Sequence, residues 1–311
     1  MANGILVLDK PQDWTARKGA GTVPSGILVL DKPQDWTSMD VCAKLRGVFQ
    51  ERRVGHAGTL DPMATGVLPI FLGRATRAVE FASESEKEYE AGLQLGVITN
   101  TQDISGEVLE TRPVSVTAAQ VEDVLARFRG DILQVPPMYS AIKINGKKLY
   151  ERARKGREVE RPPRPVTIHS LELTGQEGPD RFTLRVRCSK GTYVRTLCHD
   201  IGQALGCGGT MYALRRTMAA GFTLADAVTL EQALQAGDPE ALLLPVDSYF
   251  SARPALTLPP DGEKKVRNGV PLSLPGLQPG EYRVYGADGT FLALSRWEQG
   301  RLTTIKSFFP V

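Results

Sequence analysis

Asp61 stands in the stretch Arg53-Val54-Gly55-His56-Ala57-Gly58-Thr59-Leu60-Asp61-Pro62-Met63-Ala64-Thr65-Gly66-Val67-Leu68-Pro69, where three glycines and two prolines exclude an ordinary helix or central strand. The stretch predicts a tightly shaped loop that fixes one carboxylate, with His56 and Thr59 close to it. Pro62 biases Asp61 away from helical geometry and toward an extended one. A carboxylate held in this way is a candidate nucleophile or proton acceptor. Turn chemistry alone favours a plain structural turn, the commonest outcome for Asp-Pro. Tyr89 is a second candidate. Between Lys87 and Ile98, Tyr89, Ala91, Leu93, Leu95 and Val97 alternate with Glu88, Glu90, Gln94 and Gly96, so Tyr89 belongs to the apolar face of a strand. It should be buried or line a cleft, and a core tyrosine fits as well as a functional one. Arg195 is a third. It follows Lys190-Gly191-Thr192-Tyr193-Val194, where a strand with Phe182, Leu184 and Val186 on one face gives way to a helix with Leu197, Ile201 and Leu205 at four-residue spacing. Side chains at such a junction can reach into a cleft, although a surface arginine is the commoner reading of Tyr-x-Arg.

The elements that must position these groups are legible in part. Val41, Leu45, Val48 and Phe49 mark one face of a helix, and Ile70 to Gly73 reads as a strand. Thr117 with Gln120 forms a capping box for a helix to Phe128 with Val121, Val124, Leu125 and Phe128 as its apolar stripe, and Gly130 stops it. Thr229 with Gln232 caps another short helix. Lys147, Lys148, Arg152, Arg154, Lys155, Arg157, Arg161 and Arg164 fall within eighteen residues with three acids among them. That density suits a phosphate-contacting surface as readily as a solvated face. From Ser251 the composition turns proline-rich. Glu281–Tyr285, an Asp288-Gly289 turn and Phe291–Arg296 then read as a hairpin, with Lys264, Lys265 and Arg267 as a basic edge.

The N-terminus carries a repeat. Gly4 to Thr15 reads GILVLDKPQDWT, and Gly26 to Thr37 repeats the same twelve residues. Two copies without a third argue against a solenoid. One sheet position holds one such strand, and the second copy runs directly into the first helical pattern, so it is expected to be the working one. The expected organisation is an extra segment over 1–25, a main domain over 26–250 and a small unit over 251–311.

Bulk properties bound the function. A chain of 311 residues buries a sizeable core in about two domains, and 41% hydrophobic with 23% charged residues is ordinary for a soluble protein. The net charge of +3 is mild, so any nucleic-acid surface must come from local clustering. No apolar run reaches membrane length, and Asp9 interrupts Ile5-Leu6-Val7-Leu8, so neither a membrane span nor a signal peptide is expected. Cys42, Cys188, Cys198 and Cys207 lack metal-ligand spacing and are expected to be buried thiols in a reducing cytoplasm.

Gly55-His56-Ala57-Gly58-Thr59-Leu60-Asp61-Pro62-Met63-Ala64-Thr65-Gly66-Val67-Leu68-Pro69 closely resembles the signature loop of the TruB family of tRNA pseudouridine synthases. Leu30-Asp31-Lys32-Pro33, Lys87-Glu88-Tyr89 with Thr101 to Gly106, Lys190 to Leu197 and Leu214 to Thr217 resemble its other elements, so the similarity runs from about Gly26 to Asp247 and, more weakly, on to Val311. The resemblance implies an α+β fold, with a mainly antiparallel mixed sheet flanked by helices and a small C-terminal PUA-like β-barrel. It implies that Asp61 is catalytic, that Arg195 pairs with it, that Tyr89 packs on the target uracil and that Tyr193 completes the network. Leu214 would be an apolar wall, and His56 would occupy the space the base vacates. Lys32, Thr59, Lys143, Arg154 and Arg157 are expected among the RNA contacts. The implied substrate is the T arm of tRNA at uridine 55, with the acceptor end against the C-terminal unit. No cofactor, metal or protein partner is implied, and a monomer is the family default. Two other readings use the same surface: a tRNA-binding or folding module without chemistry, and a guide-RNA-dependent relative. A carboxylate facing an anionic ligand opposes binding, which favours catalysis over the first. The basic segment between Lys143 and Pro165 disfavours the second.

Overall fold

The computed structural model describes residues 24–144 and 146–309. The first GILVLDKPQDWT copy lies outside them. The second copy forms β1 (Gly26–Lys32). Its uninterrupted Ile27-Leu28-Val29-Leu30 run follows from burial on two sides. Leu28 and Leu30 join the main core, whereas Ile27 and Val29 face a second cluster with Val67 and Phe71. β1 leads through Thr37, which forms a capping box with Asp40, into α1 (Ser38–Phe49). Val41, Leu45 and Phe49 of that helix are buried in the main core.

Next come β2 (Val54–His56), β3 (Thr65–Leu72), a 3-10 turn at Gly73–Ala78 and α2 (Val79–Glu84). The expected single loop over 53–69 is therefore shorter. Val54↔Leu72 and His56↔Ile70 pair β2 with β3, leaving only 57–64 as loop. β4 (Lys87–Leu95) ends at Gly96, whose φ of +81° turns the chain into β5 (Val97–Thr99), so the strand expected to run to Ile98 is broken there. β5 pairs with β6 (Val108–Thr111). The capping box at Thr117 starts α3 (Ala118–Leu125), which tightens to a 3-10 turn over Ala126–Phe128 before β7 (Gly130–Gln134). The basic segment folds as a small hairpin, β8 (Lys143–Ile144) with β9 (Lys147–Lys148), followed by α4 (Leu149–Ala153). β10 (Arg164–Glu177), β11 (Arg181–Cys188), α5 (Val194–Ala204), β12 (Gly209–Ala219), β13 (Phe222–Thr223), β14 (Val228–Thr229) and α6 (Leu230–Gln235) complete the larger unit.

One mixed sheet runs in the order β14-β1-β3-β12-β4-β11-β10-β7, with β2 on β3 and β13 on β12. β1–β14 and β3–β12 are parallel and the remaining pairs antiparallel. The apolar faces of α1, α3, α5 and α6 share one core with Tyr89, Ala91, Leu93, Phe182, Leu184 and Val186. Arg185 and Arg187 stand exposed between those β11 side chains, as a one-sided strand requires.

The C-terminal unit contains β15 (Ala255–Thr257), α7 (Pro260–Arg267), β16 (Leu272–Ser273), β17 (Gly280–Tyr285), β18 (Phe291–Glu298) and β19 (Arg301–Ser307). Its sheet runs β15-β17-β18-β19-β16 and makes a half-barrel. Lys264, Lys265 and Arg267, expected as a strand edge, lie in the last turn of α7, where cations complement the helix dipole. Phe250 joins this unit to the larger one, with ring centroids 5.8 Å from Phe308 and 6.2 Å from Phe291. Lys306 pairs with Glu80 across the same junction.

Candidate active site

Residues 57–64 are short of internal hydrogen bonds and are fastened from outside. Leu60 N donates to Ser38 Oγ at 2.9 Å, and Asp35 N donates to Pro62 O at 2.8 Å. Arg216 Nη2 reaches Gly58 O at 3.1 Å while its Nε holds Val67 O at 2.7 Å. Gly58 has φ +86°, and an added Cβ would sit 3.2 Å from Arg216 Nη1, so a side chain there meets backbone strain and a tight contact with that guanidinium. Asp61 is thus flanked by two residues whose backbone is pinned.

Lys32 supplies another pin. Its Nζ donates to Pro33 O at 2.8 Å, Trp36 O at 2.6 Å and Pro62 O at 3.2 Å, using all three of its protons. The residue is 0% exposed. In the structure Lys32, expected among the RNA contacts, is buried with its ammonium donating to three carbonyls of this chain, and it holds the loop. Burial lowers its pKa to about 8, against the pull of Asp35 and Asp61.

Arg195 sits in the first turn of α5, after Tyr193 as N-cap residue. Buried Gln134 fixes this junction, accepting from Tyr193 N at 2.8 Å and donating to Tyr193 O at 3.1 Å. The Arg195 guanidinium lies between two carboxylates, Nη2 at 3.5 Å from Asp61 Oδ2 and Nη1 at 3.4 Å from Asp103 Oδ2. Nη2 also donates to Tyr139 O at 2.6 Å. Side-chain exposure separates the roles: 7% for Arg195, 4% for Asp103 and 39% for Asp61. Only Asp61 offers its carboxylate to a ligand. Asp103 is spent on this chain, its Oδ1 accepting from Thr101 Oγ1 at 2.8 Å and Ser105 N at 3.0 Å.

Tyr89 is buried, directly opposite Arg216 in the β4–β12 register. Burial raises its pKa, and the nearby Arg216 guanidinium opposes the rise. Asp61 lies within electrostatic reach of Tyr89, Tyr193 and Lys32. The Tyr193 phenol is likewise raised by burial, and its ring lies 5.7 Å from the Arg195 guanidinium. Both phenols stay protonated at neutral pH. His56 ends β2; burial and then Arg216 push its pKa down, so it is a neutral ring at pH 7. Thr59 is exposed at the lip of the loop, and half-buried Leu214 packs on the core opposite Ala91.

The structure thus gathers Asp61, Arg195, Tyr193 and Tyr89, with His56 at the end of β2 leading into the loop. Lys143, Arg154 and Arg157 do not touch them. All three are exposed on the basic arm, rooted where Leu149 N donates to Ile142 O at 2.8 Å and Tyr150 N to Ser140 O at 3.1 Å. That root adjoins Tyr139, the carbonyl partner of Arg195. Sequence reasoning missed the pairing of Asp103 with Arg195 and the buried anchors Arg216, Ser38 and Gln134. Asp103-x-Ser105-Gly106 carried a turn signal, but nothing local named its partner 92 residues away.

Residues 46–194 match the family described as TruB family pseudouridylate synthase (N terminal domain). Residues 195–251 match the tRNA pseudouridylate synthase B C-terminal domain. A protein of Azoarcus sp. (strain BH72) named tRNA pseudouridine synthase B is 46% identical over 304 residues, covering 97% of this chain and 93% of that protein. A protein of the same name from Streptococcus thermophilus (strain CNRZ 1066) is 47% identical over 250 residues, 78% of this chain and 85% of the other. Among solved structures, a chain in an H/ACA RNP bound to a substrate RNA containing 2′-deoxyuridine shares the fold, with a TM-score of 0.70 at 24% identity over 93% of this chain and 86% of its own. On these matches, the chain belongs to the TruB family of pseudouridylate synthases.

Proposed function

We propose that this chain is an isomerase that converts uridine to pseudouridine in tRNA, at the T-loop uridine 55, with Asp61 as its catalytic carboxylate. The observation that carries the reading is the part-exposed carboxylate of Asp61 held beside a buried guanidinium that is itself anchored on the far side by Asp103. In the reaction the C1′–N1 bond breaks, the uracil turns over, and C5 bonds to C1′ while its proton moves to N1. The balance is redox-neutral and releases nothing, so no cofactor is called for. A uridine inside a folded loop must first be extruded at a cost of a few kcal/mol. His56 takes the vacated space, its neutral ring suited to packing rather than to pairing with phosphate. Tyr89 stacks on the extruded base, a contact worth about 1–3 kcal/mol. Asp61 then attacks C1′ or removes a sugar proton, and Tyr193 assists at the C5 proton. Leu214 and the core behind it confine the detached uracil, which replaces a bimolecular recombination by a local rotation.

The reading divides the chain into catalysis over 26–250 and binding of the acceptor end over 251–311. It places the enzyme in the cytoplasm, where free, buried Cys42, Cys188, Cys198 and Cys207 stay reduced. Among the described residues no helix is long and apolar enough to cross a membrane. The test is incubation with an unmodified tRNA transcript and no added cofactor, followed by chemical mapping of pseudouridine. Pseudouridine at position 55 is expected; a tRNA that is bound but unchanged would leave only a binding module.

A further inference from the structure

The chemistry at Asp61 leaves unused a second concentration of charge at the opposite end of β2. Arg53 precedes that strand, and its carbonyl accepts from Gly73 N at 2.8 Å, which brings the 3-10 turn Gly73–Ala78 alongside. Side chains three apart in a 3-10 turn eclipse, so Arg74 and Arg77 share one side of it. Arg46, in the last turn of α1, closes the group by donating to Arg52 O at 3.2 Å and Val54 O at 3.3 Å. Burial and the nearby Arg53 and Arg77 guanidiniums push Arg74 below the ordinary arginine range.

The acids do not balance them. Glu51 is buried, 3.5 Å from Arg53 Nε, and also accepts from Arg53 N at 2.7 Å. Glu80, the next acid after the turn, is taken by Lys306. Among the described residues neither Arg74 nor Arg77 has a carboxylate within ion-pair distance. In a chain with a net charge of only +3, four arginines from the end of α1, the start of β2 and the Gly73–Ala78 turn, with one carboxylate paired to Arg53, are a local excess of charge. Cations so short of carboxylates attract a polyanion.

We propose that Arg53, Arg74 and Arg77 form a binding site for backbone phosphates of the RNA whose uridine enters at Asp61. The inference rests on the tRNA reading above and adds a second contact region to it. β2 separates Arg53 from His56 by three residue steps, about 10 Å at strand rise. An RNA strand displaced by His56 therefore carries its backbone onto these arginines within a few nucleotides. The site shares no residue with the basic arm.

The test uses the full-length chain carrying Arg74→Gln with Arg77→Gln, and an unmodified tRNA transcript. Each phosphate contact contributes about 0.7–0.9 to the slope of log affinity against log salt. The double variant is expected to lower that slope by about 1.4–1.8 and to weaken binding roughly 25- to 60-fold near 0.1 M salt. Its single-turnover rate at saturating tRNA stays at the wild-type value. Arg74→Lys with Arg77→Lys keeps the charges and should restore most of the slope, and Arg127→Gln, an exposed arginine elsewhere, should change neither quantity. Unchanged affinity in the double variant, or weaker binding at an unchanged slope, overturns the site while leaving the tRNA reading intact. A wild-type chain that neither binds nor modifies tRNA removes both.

Discussion

Around Asp61 the cations are buried and aimed at oxygens of this chain, whereas Lys143, Lys147, Arg154, Lys155 and Arg157 of the basic arm stand in solvent. Lys32 is 0% exposed, Arg216 1% and Arg195 6%, and each ends on named carbonyls or carboxylates. Lys143, Arg154, Lys155 and Arg157 are exposed, and Arg154 and Lys148 lean on the Tyr150 ring at 5.5 and 5.4 Å. On the proposed function the same residue types do two jobs. Buried, they would fix geometry before the substrate arrives, with their effect in the chemical step. Exposed, they would exchange counterions for phosphates, with their effect in affinity and its salt dependence.

The largest test of that division is Asp61→Asn. Pseudouridine formation should fall to background in single-turnover assays, while tRNA affinity stays within about tenfold, about 1.4 kcal/mol. Substantial residual turnover in a clean preparation would put the catalytic group elsewhere.

Arg195→Ala comes next, with an expected loss of about 10²–10³ in single-turnover rate, comparable to removing one preorganised donor from an active site. Asp103→Asn keeps the shape of the anchor and loses its charge. It should slow the reaction by up to about a hundredfold, the scale of a small misplacement of a catalytic group. Both should leave the salt slope of tRNA binding unchanged. A variant of either residue that alters the slope instead would move it to the exposed class and blur the distinction between the two regions.

The buried cations also predict how stability responds to pH. Lys32 and Lys87 are both lowered from 10.5 to about 8, in each case chiefly by burial. Between pH 8 and 9 the unfolded chain keeps protons that these folded lysines lose, so stability rises with pH, by about 1 kcal/mol for each lysine. Cys42 and Cys188 are raised by burial from 9.0 to about 11, and Cys198 to about 12. Above pH 9 the unfolded thiols ionise while the folded ones hold their protons, and three such groups outweigh two lysines. Urea unfolding from pH 7 to 10.5 should thus show maximal stability near about pH 9, and Lys87→Met should remove about half of the rise. A monotonic fall from pH 7 would mean that Lys32 and Lys87 do not titrate with burial as their main influence.

Much of this division was legible in the chain, and its limits are physical. The Thr117–Gln120 and Thr229–Gln232 capping boxes are local, and both formed. The alternation of Phe182, Leu184 and Val186 with polar residues is local too, and those three are buried as the period requires. The Asp61 loop was visible as a loop, but its length was not. Glycine and proline counts cannot show that β2 lies against β3, or that Pro69 itself sits in β3 opposite Val29 of β1. The anchoring by Lys32 was hidden for the same reason. A lysine after Leu-Asp reads as a surface residue until the fold brings Pro62 O to its ammonium. Arg216 reads as one cation of an Arg-Arg pair, and only the β12–β3 and β12–β4 registers bury it. Long-range hydrogen bonds from buried charges have no period, so a single sequence does not display them.

Arg157→Ala is the smallest expected effect and the closest examination of the exposed class. The side chain ends a turn in which Arg157 N donates to Arg152 O at 3.1 Å, and among the described residues its guanidinium has no carboxylate within ion-pair distance. Truncation therefore breaks no internal pair, and surface changes of this kind stay within about 0.5 kcal/mol of stability. On the proposed function the expected loss is one phosphate contact, lowering the salt slope by about 0.7–0.9 and weakening tRNA binding a few-fold. The rate at saturating tRNA should not move, because the Tyr139 carbonyl that anchors Arg195 lies at the root of the arm, before its helix begins. A slower chemical step in this variant would show that the arm's occupancy is transmitted through Tyr139 to Arg195. The two ways of using charge would then be coupled through a single carbonyl.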